Sequence, residues 1–357
     1  MSNALHPENP PAGTATGGVP SVPAHPSAVR YHAVGKAEEV LRFEEIALPA
    51  LGEGDAVLVL ETAVIHPSDL GMIAGTYGRL RELPAVAGRE GVGRVAAVGA
   101  GVSNVKPGDR VRMPEDAGVW REALVAPAAD LRVVPADLPA TQAAMAFINP
   151  PTALLLLQEF VALRAGDWLV QNAANSAVGE CVIQLAKARG VRTANLVRSV
   201  EKHGARLKAL GADIVVADDK DAAKTIAGEI AALGGKAPRL ALNSIGGMSA
   251  ITLTRALGQD GVLVTFGGMT GDAIRFPTRE FIFKNITYRG FWMDRWARTS
   301  PPAAVDAAFA QIYAHLRDGS LTVAVDSVFP LAKFTEAIAR AGAYGRDGKV
   351  LLNGPAA

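Results

Sequence analysis

A short turn between a predicted strand and a predicted helix, DWLVQNAANSAVGE at residues 167–180, carries residue types suited to holding a phosphate group. Placing the GxGxxG pattern on this turn puts Ala174, Ser176 and Gly179 at the three glycine positions. Gly179 would let the helix pack closely on its strand, while the Ser176 hydroxyl and free backbone N–H groups would donate to phosphate oxygens. Asn175 and Ser176 are also common N-cap residues, so the spacing alone leaves plain helix capping open.

A second feature lies at the end of the next strand, in the segment RTANLVRS at residues 192–199. An acidic residue at this place bonds the ribose hydroxyls of NAD, whereas an arginine accommodates the 2′-phosphate of NADP. This chain has Arg198 followed by Ser199, and its next acidic residue is Glu201. Guanidinium matches the bidentate geometry of phosphate, so the segment favours NADPH, with a solvated surface arginine as the alternative.

The elements around these two segments alternate between apolar strands and amphipathic helices. Such alternation is typical of a parallel sheet covered by helices on both faces. Six strands would complete a dinucleotide-binding sheet. The strand candidates are residues 167–173, 193–197, 213–218, 240–245, 261–267 and 286–292.

The first half of the chain, from about Arg30 to Leu138, has a different pattern. The segments at 56–65 and 91–102 are β-branched and bounded by turns, and VKPGDRV at 105–111 places a Pro-Gly turn before another strand. No long helical period occurs in this half. The sequence therefore predicts an α/β protein with a β-rich domain followed by a doubly wound domain.

The composition excludes several classes of partner and site. The chain of 357 residues has 36 Lys and Arg against 35 Asp and Glu, a balance that gives no global field for nucleic acid or an anionic membrane. Its single cysteine, Cys181, cannot form an internal disulfide or a cysteine-rich zinc site. No uncharged apolar run reaches the roughly 18 residues that cross a membrane. We therefore expect no nucleic acid and no membrane as partners.

The amino-terminal segment, residues 1–28, is rich in Pro, Ala, Gly and Ser and has no apolar core. Since its composition fits neither a signal peptide nor a transit peptide, we expect a flexible tail and a cytoplasmic location.

The segment GREGVGRVAAVG at residues 88–99 resembles a glycine-rich motif of the medium-chain dehydrogenase/reductase superfamily. Arg89 stands where zinc-dependent members of that superfamily carry a histidine ligand, and the cysteines of their zinc sites are also missing. The resemblance therefore implies a reductase without a metal.

A narrower resemblance covers most of the chain from about residue 60 to residue 295. GTYGRLRELPAVAGREGVG, INPPTA, QNAANSAVG, LVRS, RLKALGA, FGGM and FIFKNITYRGFW are similar, in the same order, to segments of the mitochondrial-type trans-2-enoyl-thioester reductases. The resemblance implies a GroES-like catalytic domain at residues 29–149 and a Rossmann NADP-binding domain at 150–294. It also implies that a carboxyl-terminal segment, 295–357, returns to the catalytic domain.

The same resemblance implies roles for particular residues. Tyr77 would be the catalytic acid, and Thr152 would act beside it at the nicotinamide, which Asn149 would also flank. Asn175, Ser176, Ala177 and Val178 would bind the cofactor phosphates, and Arg198 and Ser199 its 2′-phosphate. The nicotinamide side would be lined by Phe266, Gly267, Gly268, Met269, Phe291, Trp292 and Met293, with Lys349 reaching the cofactor from the carboxyl-terminal segment.

The chain departs from the family pattern in the cofactor segments. Ala174 replaces a serine, Ala177 a glycine and Pro151 a cysteine, and Arg-Ser-Val follows the second strand where the family has Arg-Asp-Arg. One possible phosphate contact is therefore missing.

The activity implied is NADPH-dependent reduction of trans-2-enoyl thioesters of coenzyme A or an acyl carrier protein, with hydride added at C3 and a proton from Tyr77 at C2. One alternative is a zinc-independent NADPH:quinone or enone oxidoreductase, and a remote one is a nucleotide-binding protein without catalysis. Arg79, Arg81, Arg295 and Arg298 could meet phosphates of the thioester carrier, although solvated surface charge is the preferred explanation for any one of them. The strand ITYRGFW closes the sheet and could pair with its copy across a two-fold axis, as the superfamily resemblance implies, so we expect a homodimer.

Overall fold

A computed structural model describes residues 18–357 of this chain, which divide into two compact units. The first unit contains the chain up to Met145 together with Val325–Ala357, and the second is Ala146–Ala324. The predicted flexible tail, residues 1–28, lies outside the described residues up to residue 17, and its last two residues belong to the first strand.

The strands and helices follow one another in an order that differs between the two units. The strands are β1 Ser27–Tyr31, β2 Leu41–Glu45, β3 Asp55–Val64, β4 Ala85–Val86, β5 Gly91–Val98, β6 Arg110–Arg112, β7 Ala123–Pro127, β8 Trp168–Gln171, β9 Arg192–Val197, β10 Ile214–Ala217, β11 Leu240–Asn243, β12 Val262–Thr265, β13 Thr287–Gly290, β14 Val325–Pro330 and β15 Lys349–Asn353. The helices are α1 Ala37–Val40, α2 Pro67–Ile73, α3 Ala140–Ala144, α4 Asn149–Leu156, α5 Ala177–Ala188, α6 Val200–Leu210, α7 Ala222–Ala232, α8 Gly247–Ala256, α9 Thr278–Phe283, α10 Met293–Thr299, α11 Pro302–Arg317 and α12 Phe334–Gly342. Across residues 18–357, no helix combines the length and the apolar character needed to cross a membrane.

The first unit is built on mainly antiparallel sheets, with one parallel pair between β14 and β15, as expected for a GroES-like domain. Its larger sheet has the order β14-β15-β3-β5-β6, with β7 also paired to β3, and a smaller sheet has the order β2-β1-β4. The long strand β3 is buried along almost its whole length, because strands pair on both of its edges and apolar side chains cover it. Leu58, Leu60, Met113 and Trp120 form part of its core.

The second unit is a doubly wound parallel sheet with the order β10-β9-β8-β11-β12-β13. All of its strand pairs are parallel, and all four residues of β8 are buried. The order places β8 next to β11, where the direction of winding reverses, which is the point at which nucleotides bind in such sheets. The predicted fold class, a GroES-like domain with a Rossmann domain, is confirmed.

The chain leaves the second unit at Val325, whereas the sequence placed the return to the first domain at residue 295. Helix α11 explains the difference, because it packs within the second unit. Phe309 of α11 meets Phe147 edge to face with 5.7 Å between ring centroids, and Gln158 Nε2 donates to Gln311 Oε1 over 3.0 Å. The periodicity of α11 predicted a helix but carried no information about the surface that it covers.

Candidate active site

The phosphate-type turn connects β8 to α5 through a tight backbone path. A Cβ added at Gly179 would lie 2.6 Å from the carbonyl oxygen of Ala174, so only glycine allows this approach of helix and strand. Just before it, Ala173 has a φ of 45°, a left-handed conformation that a residue with a Cβ adopts at a cost of about 1–2 kcal/mol. The turn therefore combines close packing with local backbone strain.

Ser176 is the N-cap of α5, and its Oγ accepts from the backbone N–H of Gly179 over 3.2 Å. The capping role left open by the sequence is thus present. It leaves the hydroxyl proton of Ser176 available to a phosphate oxygen, since a hydroxyl accepts and donates at once. Asn175, Ser176, Ala177 and Val178 are all partly exposed, as a cofactor site requires.

Arg198 and Ser199 follow β9, the neighbour of β8 in the sheet. Arg198 is exposed, and Ser199 caps α6 by accepting from the backbone N–H of Lys202 over 3.2 Å. Because both segments follow adjacent parallel strands, Arg198 and the Ser176 turn lie at the same carboxyl edge of the sheet.

The remaining predicted cofactor residues of the second unit belong to the same edge. Phe266, Gly267, Gly268 and Met269 follow β12, and Gly267 lies against Ser244 at the end of β11, where an added Cβ would be 3.1 Å from the Ser244 carbonyl oxygen. Phe291, Trp292 and Met293 follow β13, and Phe291 packs edge to face on Phe160.

Asn149 Nδ2 and Ser244 Oγ are among the buried polar atoms of the second unit that have no hydrogen-bond partner within the described residues. Asn149 begins α4 and is 6% exposed. Leaving a buried donor unpaired costs about 1–3 kcal/mol, which a bound polar ligand would recover. The unpaired Ser244 hydroxyl, the capped amino terminus of α5 and the exposed Arg198 all follow strands at one edge of the sheet, and this arrangement fits a nicotinamide dinucleotide. Ser244 was not predicted as a site residue, and its place just after a central strand was the signal for it.

Thr152 stands on the first turn of α4 and is 7% exposed. Its Oγ1 donates to the carbonyl oxygen of Ile148 over 2.6 Å. The hydroxyl proton is therefore held by the helix itself, and the free lone pairs of Thr152 are better placed to accept a hydrogen bond than to give a proton.

Tyr77 lies in the loop after α2, within the first unit, and is partly exposed. Its Oη accepts a hydrogen bond of 2.7 Å from Arg89 Nη1, and the Arg89 guanidinium lies 4.7 Å from the Tyr77 ring centroid. Arg89 itself is 4% exposed, and its Nε donates to Glu115 Oε1 over 2.8 Å. The residue that the sequence singled out only as a missing zinc ligand thus holds the hydroxyl of Tyr77.

Two features keep Arg89 charged and in place. Burial alone would lower the pKa of the Arg89 guanidinium, but the carboxylate of Glu115 beside it raises that pKa above the usual range. The preceding Gly88 has a φ of 86°, and a Cβ there would lie 2.1 Å from Trp120, so the backbone packs directly against the indole. Arg89 is therefore a fixed cation.

Lys349 belongs to the first unit and is 7% exposed. Its Nζ lies 3.0 Å from His66 Nδ1, and His66 Nε2 lies 2.5 Å from Glu90 Oε2. Since an ammonium group can only donate, His66 Nδ1 accepts and the ring proton on Nε2 faces Glu90. Lys349 thus belongs to a buried chain of hydrogen bonds with His66 and Glu90. The contact of Lys349 with a cofactor stays a prediction.

Two family models match the chain. The alcohol dehydrogenase GroES-like domain matches residues 52–136, and the zinc-binding dehydrogenase matches residues 177–310. Among curated proteins, the mitochondrial enoyl-acyl-carrier-protein reductase of Rattus norvegicus is 38% identical over 326 residues, covering 89% of this chain and 86% of that protein. The protein of the same name from Homo sapiens is 38% identical over 321 residues, covering 88% and 85%.

The chain belongs to this family of enoyl-thioester reductases.

Solved structures also support the assignment of the chain to this family. The mitochondrial 2-enoyl thioester reductase heterodimer from Candida tropicalis matches with a TM-score of 0.85 at 28% identity, covering 93% of this chain and 100% of that one. A complex of that kind of enzyme with NADP and crotonyl-CoA gives a TM-score of 0.85 at 27% identity, with coverage of 93% and 100%. A putative NADPH:quinone reductase from Bacillus thuringiensis gives 0.84 at 27%, with coverage of 93% and 99%.

The cytoplasmic location predicted from the sequence is contradicted. The curated relatives from rat, human and Arabidopsis thaliana are all named mitochondrial proteins. The prediction rested on the composition of residues 1–28, which gives no reliable information about targeting.

One matching family model carries zinc in its name, and it matches residues 177–310. The place where the superfamily resemblance puts a zinc ligand lies outside that match, in the GroES-like domain, and its residue does not suit the metal. Arg89, a cation without a lone pair to share, occupies the ligand position, and zinc in proteins takes thiolate, imidazole or carboxylate ligands. Between residues 18 and 357, no group of three or more His, Cys, Asp or Glu side chains is arranged to hold a metal ion.

Proposed function

We propose that this reductase catalyses NADPH-dependent reduction of trans-2-enoyl thioesters and that Tyr77 gives the proton to C2. The observation that carries the proposal is the hydrogen bond from Arg89 Nη1 to Tyr77 Oη, 2.7 Å long. Family membership supplies the class of reaction, and this contact supports Tyr77 as the acid of the reaction.

The chemistry requires hydride at C3 of the substrate and a proton at C2, with enolate-like charge on the thioester oxygen between the two events. A nicotinamide cofactor, when bound, supplies the hydride. Hydrogen bonds can stabilise the charge without a metal. The protein must therefore provide an acid that is protonated near neutral pH and donors for the oxygen.

Arg89 orients the proton of Tyr77. A guanidinium can only donate, so the Tyr77 oxygen accepts from Arg89 and its own hydrogen must point in another direction. Once that proton has left, the phenolate oxygen remains next to a fixed cation, and a charge-assisted hydrogen bond is about twice as strong as a neutral one. Arg89 thus favours both the geometry before proton transfer and the charge after it, as a positioning residue.

The second unit would supply the cofactor site. Ser176, with Asn175, Ala177 and Val178, would donate to the phosphates at the amino terminus of α5, which is 12 residues long. Arg198 and Ser199 would bind the 2′-phosphate and make the enzyme prefer NADPH. The unpaired Asn149 Nδ2 would donate to the nicotinamide carboxamide.

The remaining members of the proposed site would complete the nicotinamide pocket. Thr152 would accept a hydrogen bond there, since its own proton is held by Ile148. The other lining residues would be Phe266, Gly267, Gly268, Met269, Phe291, Trp292, Met293 and Lys349. We further propose that the first unit is the catalytic domain and the second the NADP-binding domain.

The test compares two acceptors under NADPH, crotonyl-CoA and a simple quinone. The proposal expects crotonyl-CoA turnover well above quinone turnover. The similarity to a putative NADPH:quinone reductase makes quinone reduction the second candidate. Quinone turnover with inert crotonyl-CoA would establish that candidate instead. Stoichiometric NADPH binding without turnover of either acceptor would leave a nucleotide-binding protein without catalysis.

A further inference from the structure

The first unit contains a cavity of about 700 Å³ whose wall carries four arginines. It lies among β1, the end of β2, the loop that leads into β4, and the segment before β7. The arginines are Arg30, Arg79, Arg81 and Arg121, and the acidic residues of the wall are Glu45, Glu82 and Asp116.

Two of these arginines are neutralised by carboxylates. Arg79 Nη2 lies 2.7 Å from Asp116 Oδ1, and Arg30 Nη1 lies 3.2 Å from Glu44 Oε2. Of the other wall acids, Glu45 is paired with His25 over 2.9 Å, and Glu82 is exposed to solvent. These ion pairs do not include the other two arginines of the wall, Arg81 and Arg121.

Arg81 and Arg121 have no carboxylate partner among residues 18–357, and both are only partly exposed. Arg81 donates to the carbonyl oxygens of Val86, Gly88 and Glu115, while the carboxylates of Asp69 and Glu115 act on its charge without forming an ion pair with it. Arg121 donates from Nη2 to the carbonyl oxygen of Ala117 over 2.9 Å, and its Nε is buried with no partner. Because arginine has five N–H donors, the Arg121 guanidinium keeps donors for another ligand.

These two cations also repel each other. Burial, followed by the charges of Arg81 and then Arg30, lowers the pKa of Arg121 to about 10. Burial is likewise the main cause that lowers the pKa of Arg81. A partly buried cluster of like charges is destabilising by itself, and an anion placed among the guanidinium groups would relieve it.

We propose that this arginine-lined cavity is a binding site for a phosphate group. Phosphate offers several strong acceptor oxygens to more than one guanidinium, and arginine forks match its geometry in a bidentate manner. The volume exceeds what one phosphate ion fills, which leaves room for a larger molecule that carries the group. The two sources of this chemistry are free inorganic phosphate and the phosphates of coenzyme A, and only the second rests on the proposed reductase function.

The test is a calorimetric titration of the full-length protein with inorganic phosphate at constant ionic strength. Arg121→Gln keeps a donor for Ala117 and removes the charge. Loss of one charged hydrogen-bond partner should weaken phosphate binding about 10-fold or more. Arg132→Gln is the matched control, because Arg132 is exposed and also donates to backbone carbonyls, and its titration should equal that of the unaltered protein. Equal affinity in the Arg121 and Arg132 variants, or no saturable binding at all, would overturn the site.

Thermal unfolding without phosphate gives a second readout. Since Arg121→Gln removes repulsion, the variant should unfold at the same temperature as the unaltered protein or higher, and phosphate should no longer raise that temperature. If this variant does not fold, Arg121→Lys replaces it, which keeps the charge but loses the guanidinium fork, and it must also weaken phosphate binding. Titrations with coenzyme A and with pantetheine, which lacks phosphate, separate the two sources. Weaker coenzyme A binding in the variant identifies the thioester carrier, whereas an effect on inorganic phosphate alone identifies a free anion. Because no turnover is measured, failure here leaves the reductase proposal standing.

Discussion

Arg89 Nη1 donates to Tyr77 Oη across 2.7 Å, and the same guanidinium is bound on its other side by the Glu115 carboxylate. The phenol is thus held at the end of a short chain of charged hydrogen bonds that begins in the interior of the first unit. A tyrosine in a glycine-containing loop would otherwise sample many positions. This link ties the orientation of the hydroxyl to the buried Arg89 and the partly buried Glu115.

Tyr77→Phe removes the hydroxyl and keeps the ring. If Tyr77 gives the proton, kcat for crotonyl-CoA should fall about 10²–10⁴-fold, the range for general acid catalysis. NADPH affinity, measured by fluorescence titration, should stay the same, because the hydroxyl acts only in the chemical step. A variant with unchanged kcat and a raised KM would instead make Tyr77 a residue that positions the substrate.

Arg89→Lys keeps a positive charge but loses the fork that reaches Tyr77 and Glu115 together. Losing one charged hydrogen bond should lower kcat about 10- to 100-fold, with little change in the KM for NADPH. The informative control is the double variant with Tyr77→Phe. If Arg89 acts through the Tyr77 hydroxyl, adding Arg89→Lys to Tyr77→Phe should have almost no further effect on kcat. Additive losses would mean that Arg89 has only a general structural role.

Arg198→Ala should weaken NADPH binding by about 1.5–3 kcal/mol and leave NADH nearly unaffected, since only NADPH carries the 2′-phosphate. Calorimetry with both cofactors provides the measurement. Lys208→Ala is a suitable control, because Lys208 is an exposed cation on the following helix, away from the turn. If Arg198→Ala weakened the binding of NADPH and NADH equally, Arg198 would not be the ligand of the 2′-phosphate.

Gly179→Ala should destabilise the protein by about 1–3 kcal/mol and impair cofactor binding, because the new methyl group would meet the backbone of Ala174 at 2.6 Å. Gly228→Ala provides a matched control in the same unit. Gly228 lies in α7 with no atom within 4 Å of an added Cβ, so alanine should stabilise the helix by about 0.5–1 kcal/mol. Chemical denaturation of both variants measures their free energies of unfolding. If Gly179→Ala were as stable as the unaltered protein, the close approach of helix and strand would be dispensable.

The open edge of β13 predicts a homodimer. Phe291 N and Thr287 N donate inward to β12, so the N–H of Gly290 faces the free edge. Light scattering at micromolar concentration should give twice the chain mass of 37.1 kDa. Gly290→Pro, which removes that N–H, should weaken the dimer, while Gly290→Ala should leave it intact, since nothing lies within 4 Å of an added Cβ. A monomer mass for the unaltered chain would disprove the edge pairing.

The sheet of the second unit could be predicted because its signals are local. The central strands β8 and β11 are short, mainly apolar runs in which every residue is buried. The Ser176 turn and Arg198 follow from that topology, since they end adjacent strands. These parts need only the periodicity of the chain and the rules of parallel sheets.

The contact between Tyr77 and Arg89 could not be predicted in this way. The two residues are 12 positions apart in irregular backbone, and their meeting depends on the positive φ of Gly88 against Trp120. The arginine cavity likewise combines side chains from separate strands and loops. Such arrangements depend on tertiary packing, which leaves no period in the sequence.

The first unit is completed by residues from both ends of the chain, and this has a consequence for synthesis on the ribosome. The end of β3, Thr62–Val64, pairs with β15, which is translated only after the whole second unit. The continuous second unit can fold while the first still exposes an unpaired strand edge and the core residues that Leu352 will cover. A nascent chain is therefore vulnerable to aggregation at β3 until β15 has been translated, and a premature stop codon shortly before Lys349 would make that exposure permanent.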